Sequence, residues 1–347
     1  MMLGSRVQPV EQLQDSSWFP FSDEPVIEGL WYVPRLSCPV FLFPEDAPDG
    51  KWHLFAHSWL GIQHYVSNSG IMWEPMGLVQ VRGKYPFLFK DKGAFHIIYE
   101  RHGRPIPFVE KLTKRMRKSH VRGSHIEMRS SNDLSIWSEP RLLLEAKEIP
   151  SADDYRKNPV LSHPQVLPVE GGFRLYVGSS KVGEHPASSR YVCTAFSETL
   201  DGTYIPDSQM PLVEAVPNDK WRSLGAGRMC VYKGSDSYVA LQNARYWDAD
   251  RKQEASAIVL LTSTDGLQWQ RADDQPILVP AQRGWASEHI LTCDVRYKQD
   301  EACWYCYFSA TGERRYGLLR ESIGLLIGKI PALRKAGENG DNLFPNG

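Results

Sequence analysis

Residues able to do acid–base or ionic chemistry fall into a few short clusters. Glu288 and His289 follow Trp285. Asp294 and Arg296 lie a few residues further on. Glu100, Arg101 and His102 stand side by side, and Asp153 and Asp154 precede His163. Arg228 opens a strand-like segment of its own, and Arg245 lies in the run Asn243-Ala244-Arg245-Tyr246-Trp247-Asp248. Carboxylates in such places can give or accept a proton, and histidine titrates nearest neutrality. Arginine offers a planar fork of donors for hydroxyls or anions. Cys303 and Cys306 form a C-x-x-C, but they sit inside a strand pattern whose alternation sends them to opposite faces. No second pair of this kind exists, so no zinc site is expected. The reactive clusters are far apart in sequence, so the fold must bring them together.

An internal repeat supplies that fold. One unit, a strand followed by a turn and an aromatic residue, occurs at 61–74 (GIQHYVSNSGIMWE) and 124–138 (SHIEMRSSNDLSIWS). It recurs at 189–205 (SRYVCTAFSETLDGTYI) and 256–270 (SAIVLLTSTDGLQWQ), with a worn copy at 321–329 (ESIGLLIGK). The anchors Trp73, Trp137, Tyr204 and Trp269 fall 64, 67 and 65 residues apart. Before each unit lies an apolar hairpin, at 39–58, 86–101, 164–179, 229–243 and 295–310. The tips Asp49-Gly50, Lys92-Gly93, Gly171-Gly172 and Gly234-Ser235 are hairpin-turn chemistry. Val, Phe, Tyr and Leu fill the arms, as strands prefer. The expectation is an all-β chain: a five-bladed β-propeller with antiparallel blades around a central channel. Residues 1–34 form an N-terminal segment whose Trp18–Tyr32 stretch completes the last blade. Residues 35–331 form the propeller, and 332–347 a disordered tail.

The strand-turn unit, seen most fully in Ser263–Trp269 (STDGLQW), resembles the blade repeat of the five-bladed glycoside hydrolases, families 43, 32, 62, 68 and 130 among them. The resemblance covers roughly residues 35–330. It implies a pocket at the axis in which Asp-Pro at the start of inner strands supplies carboxylates flanking a glycosidic bond. The chain keeps the proline and lacks the acid: Cys38-Pro39, Tyr85-Pro86 and His163-Pro164 open three blades, with Gly227-Arg228 and Cys293-Asp294 at the matching places in the others. Catalytic candidates therefore come from neighbouring positions. Glu288 is the expected acid and Asp294 or Glu100 its partner, with His163 beside them. Arg101, Arg228 and Arg245 would hold hydroxyls or an anionic group, and Tyr85, Trp285 and Arg296 would line the site. The leading expectation is a glycosidase-like enzyme acting on a small sugar or oligosaccharide. A phosphorylase resembling family 130, a non-catalytic sugar- or protein-binding propeller, and a propeller recruited to non-hydrolytic biosynthetic chemistry stay open. No cofactor is called for, although a calcium or other ion at the axis is compatible with the resemblance.

Composition narrows the partners. The 347 residues carry 40 Lys+Arg against 41 Asp+Glu, a balance that argues against a general nucleic-acid binder. Aromatic residues make up 11%, with 11 Trp, a load that suits both β-packing and stacking on sugar faces. Residues 1–14 lack the pattern of a signal peptide, and no apolar run is long enough to span a membrane. A cytoplasmic protein with six reduced cysteines and no membrane partner is expected. Within 103–123 seven Lys and Arg residues (Arg104, Lys111, Lys114, Arg115, Arg117, Lys118, Arg122) face one acid, Glu110. That segment is either a solvated loop or a lid that attracts an anionic substrate group.

Overall fold

The computed structural model describes residues 9–29, 33, 35–101, 124–149, 160–180, 191–207, 211–312 and 320–330. Among them, regular structure is strand, interrupted by short 3-10 turns such as Val10–Leu13. After β1 (Ser17–Pro20), the first sheet is β2 (Leu36–Leu42), β3 (Trp52–Ser58), β4 (Gly61–Ser67) and β5 (Glu74–Val81). The second is β6 (Gly83–Asp91), β7 (Ala94–Arg101), β8 (His125–Ser131) and β9 (Arg141–Glu145). The third is β10 (Val160–Val169), β11 (Gly172–Ser180), β12 (Tyr191–Ser197) and β13 (Ile205–Pro206). Each is an antiparallel meander in chain order.

The remaining strands form two more meanders joined into one eight-stranded sheet. They are β14 (Gly225–Lys233), β15 (Tyr238–Asp248), β16 (Gln253–Ser263) and β17 (Gln270–Arg271), then β18 (His289–Lys298), β19 (Cys303–Thr311) and β20 (Glu321–Lys329). A single parallel pair, Ser256 with His289, links the two groups. The N-terminal strand β1 runs antiparallel along β20, from Ser17 opposite Lys329 to Pro20 opposite Leu326.

In the first sheet burial falls from the first strand to the last. Every residue of β2 is buried, whereas β5 is exposed over most of its length. This gradient is what sheets stacked side by side around a common line produce, because the first strand faces neighbours on all sides. Apolar side chains fuse adjacent sheets. Phe55 and Val40 of the first pack with Ile97 and Tyr99 of the second. Ile98 and Ile126 meet Leu161 and Leu175 of the third. Tyr176 and Val192 meet Val231 and Val259, and Leu241 and Ile258 meet Val295 and Trp304. Tyr307 and Leu325 return to Phe41 and Trp52 of the first sheet. Trp304 and Tyr307 are fully buried.

The repeated turn has a repeated bonding scheme. Asp265 Oδ1 accepts the Leu267 and Gln268 N–H groups at 2.7 and 2.8 Å, while Gly266 N–H donates to Ser263 Oγ at 2.9 Å. In the second sheet Asp133 Oδ1 accepts Ser135 and Ile136 N–H, both at 2.8 Å, and Leu134 N–H donates to Ser131 Oγ. The residue after the aspartate is left-handed in both, at φ 72° for Gly266 and 64° for Leu134. The anchoring ring after each turn packs toward the preceding sheet: Trp73 sits edge-on to Tyr307 at 5.7 Å and Trp137 edge-on to Phe55 at 6.0 Å. The tyrosines lock this contact, Tyr307 Oη donating to Gly70 O at 2.6 Å and Tyr176 Oη to Gly266 O at 3.0 Å.

Candidate functional site

The first strand of every meander carries a register shift near its start. The shifts lie between Ser37 and Val40, Lys84 and Phe87, Ser162 and Gln165, and Ala226 and Met229. In the first three the shifted residue precedes proline and has left-handed backbone, with φ 55° at Cys38, 53° at Tyr85 and 50° at His163. A non-glycine residue there costs about 1–2 kcal/mol, and a following proline narrows its choices further. Such strain repeated three times marks a device that turns one side chain out of the strand's alternation. In the fourth the shift contains Gly227 and Arg228. A Cβ on Gly227 would lie 2.3 Å from Asn243 Oδ1, so the chain needs glycine beside that arginine. In β18 the shift falls between Ile290 and Thr292. Leu291, not Cys293-Asp294, is therefore the equivalent of Cys38, Tyr85 and His163. The sequence expectation is corrected here because this bulge forms without a proline to mark it.

These strands bring distant side chains together. The Tyr85 and His163 rings lie 3.9 Å apart, and His57 is edge-on to Tyr85 at 4.8 Å. Tyr85 N–H donates to His57 Nδ1 at 3.3 Å. Cys38 N–H donates to Ser309 Oγ at 3.3 Å, and Ser309 Oγ also shares hydrogen bonds with Ser37 and Thr292. Arg228 is 3% exposed. Burial, with Lys84, Arg228 and Arg35 adding to it, holds His57 down to about 3. Burial and the charges of Arg228 and His57 likewise hold His163 well below the usual imidazole range. Both rings are neutral at physiological pH. Burial first, then Glu100, Cys38 and Glu321, push the Tyr85 phenol upward, so it keeps its proton.

One carboxyl in this group escaped the sequence reading. Glu321 opens β20, and its side chain lies 3.9 Å from Arg35 Nε. Burial raises its carboxyl above the ordinary range, against the opposing pull of Arg35 and Lys84. A carboxylic acid that keeps its proton to higher pH is the property of a proton donor. The available signal was position alone, an acid opening the worn fifth repeat.

The expected residues divide. Glu100 is 1% exposed, pairs across the sheet with Lys84, and acts on Tyr85. Asp294 is buried and already bound: it accepts Phe41 N–H at 3.1 Å and Arg296 Nε–H at 3.2 Å. Arg296 is thereby committed to that ion pair and to the Phe41 ring, 5.5 Å away. Glu288 belongs to another group, with His289, Arg245 and Glu254. Arg245 Nε donates to Glu254 at 2.7 Å. Arg101 donates to Val81 O at 3.3 Å. Trp285 stacks on Phe308 at 5.4 Å, fills the space over Gly324 and donates to Asp23 O, so its ring is spent on packing. His102, Asp153, Asp154, the basic segment 103–123 and the tail 332–347 lie outside the described residues. Among the described residues, no group of three or more His, Cys, Asp or Glu is placed to hold a metal ion. A surface groove of about 410 Å³ lies elsewhere, lined by Phe21, Glu301, Tyr305, Ile327 and Lys329.

No family model matches the chain, and no curated protein matches it in sequence. Solved structures match it over nearly its whole length. A thermostable family-43 glycoside hydrolase superposes with a TM-score of 0.57 at 14% identity, over 92% of this chain and 97% of its own. A family 117 glycoside hydrolase from Zobellia galactanivorans gives 0.55 at 11% identity, over 91% of each chain. The fold is that of the propeller glycoside hydrolases. An alpha-L-arabinofuranosidase from Lactobacillus brevis shares this fold as well, at a TM-score of 0.56 and 9% identity over 87% of this chain and 92% of its own. In the glycoside-hydrolase propeller, identities this low carry architecture and no residue roles, so the chemistry rests on the side chains described above.

Proposed function

We propose that the chain is a five-bladed propeller enzyme of glycosidase type, acting on a small sugar or oligosaccharide where the first strands of the blades converge. The blades are β2–β5, β6–β9, β10–β13, β14–β17, and β18–β20 completed by β1. Glu321 is the proton donor to the leaving oxygen, and Glu100 is the carboxylate that faces the reaction or activates water. Tyr85, His57 and His163 are neutral donors and acceptors for sugar hydroxyls. The observation that carries this reading is the raised carboxyl of Glu321 among the Tyr85, Cys38 and Arg35 groups, in a fold shared with glycoside hydrolases.

The test is product release from a panel of aryl glycosides and oligosaccharides, with and without inorganic phosphate. Turnover of one substrate class is expected, and Glu321→Gln should lower it by about two orders of magnitude or more with the melting temperature retained. A requirement for phosphate would assign phosphorolysis instead of hydrolysis. Full activity in Glu321→Gln would remove Glu321 from the chemistry. A second reading, a sugar-binding propeller without turnover, draws on Cys38, Tyr85, His163 and Leu291 standing where the fold's acids are expected. It predicts saturable sugar binding and no cleavage by the parent protein.

A further inference from the structure

We propose that the Arg228 guanidinium anchors an anionic group, a carboxylate or a phosphate, on the ligand held at the convergence of the first strands. Arg228 is 97% shielded from solvent, and its Nε and Nη1 are buried without a hydrogen-bond partner. Buried arginines are ordinarily paired, because an unpaired buried charge is costly.

The groups around it do not balance the charge. Cys38, Cys230, Cys293 and Asp294 are the acids in its field. Burial pushes the Cys38 thiol up to about 11, and its contact with Cys293 together with burial pushes Cys230 up, so both are neutral. Asp294 is already shared with Arg296 and the Phe41 N–H. Two guanidiniums thus face one carboxylate. His57 and His163 also feel the charge of Arg228, which adds to burial in keeping them neutral. His163 Nδ1 is itself buried without a partner.

One oxyanion would meet both needs, offering acceptors to the arginine fork and to a protonated imidazole nitrogen while neutralising the excess charge. A neutral hydroxyl could fill a bonding position but would leave the charge. The backbone is shaped for this side chain, since Gly227 leaves no room for a Cβ beside Asn243 and Asn243 is held by its bond to Ile290 O at 2.7 Å. Anion binding here presupposes the axial ligand site proposed above, but no bond cleavage.

Calorimetric titration of the parent protein, Arg228→Met and Arg228→Lys with glucuronate, inorganic phosphate and glucose tests it. The parent should bind glucuronate or phosphate about ten-fold or more tighter than glucose. A response to glucuronate alone assigns a carboxylated sugar, and a response to phosphate assigns a phosphate group. Arg228→Met should erase the preference and, without ligand, melt no lower than the parent. Arg228→Lys, which keeps the charge and loses the fork, should bind the anion more weakly than the parent. Equal affinity for glucose and the anions, failure of both anions to bind, or a preference that survives in Arg228→Met would overturn it. Binding is read without turnover, so loss of cleavage in Glu321→Gln with anion preference intact would separate this site from the acid–base assignment.

Discussion

At the residue scale, the raised carboxyl of Glu321 ties the proposed turnover to pH. Its folded-state carboxyl titrates above its ordinary value near 4.5 because burial outweighs Arg35 and Lys84. The native state therefore holds this proton more tightly than the unfolded chain. The resulting stabilisation is complete below the ordinary value and is lost as pH rises through the folded one. Turnover that needs the protonated acid should fall over the same window. Melting temperatures and rates measured from pH 4 to 8 should show this fall as a difference between the parent and Glu321→Gln, superposed on the rise in stability that the buried neutral His57 and His163 give to both; parallel profiles would contradict the assignment. Tyr85, His163 and Cys38 were legible in the sequence because they share a place before proline in successive repeats. Glu321 was not, since its shift arises from burial, against the pull of Arg35 and Lys84, and only the folded chain creates that burial. Asp294 and Glu288 showed the opposite limit. Their types suited catalysis, but one is tied to Arg296 and Phe41 and the other faces His289.

At the scale of elements, the turn and its aromatic anchor join neighbouring sheets. Tyr307 reaches from β19 to the carbonyl of Gly70, in the turn after β4, and the bond is fully buried. Tyr307→Phe keeps the ring and leaves that carbonyl unpaired, so it should cost about 1–2 kcal/mol. Chemical denaturation would show this as a lower midpoint with an unchanged slope. An unaltered midpoint would show that the latch contributes nothing. Strands and hairpins could be read directly because their turn chemistry is local: Lys92 and Gly93, at φ 47° and 86°, make the tight turn that their types suggest. The phase of β18 could not. Its bulge falls at Leu291, where neither proline nor glycine announces it, and counting from the other blades placed it two residues late.

At the scale of the whole molecule, β1 completes the sheet that β18 to β20 begin, and core packing runs from each sheet to the next and back to the first. Such an arrangement points the same end of each first strand at one region, which would let Tyr85, His163 and Arg228 meet the proposed ligand from far-separated parts of the sequence, with Glu321 reaching it from the start of β20. The ring was legible from repeat spacing, whereas the ligand's place was only implied by it. The direct measurement is a crystal structure of the protein soaked with a sugar it binds. Density is expected in contact with Tyr85, His163 and Arg228 and within reach of Glu321. Density confined to the outer groove between Phe21, Tyr305 and Lys329, with the Tyr85–His163 contact undisturbed, would contradict it.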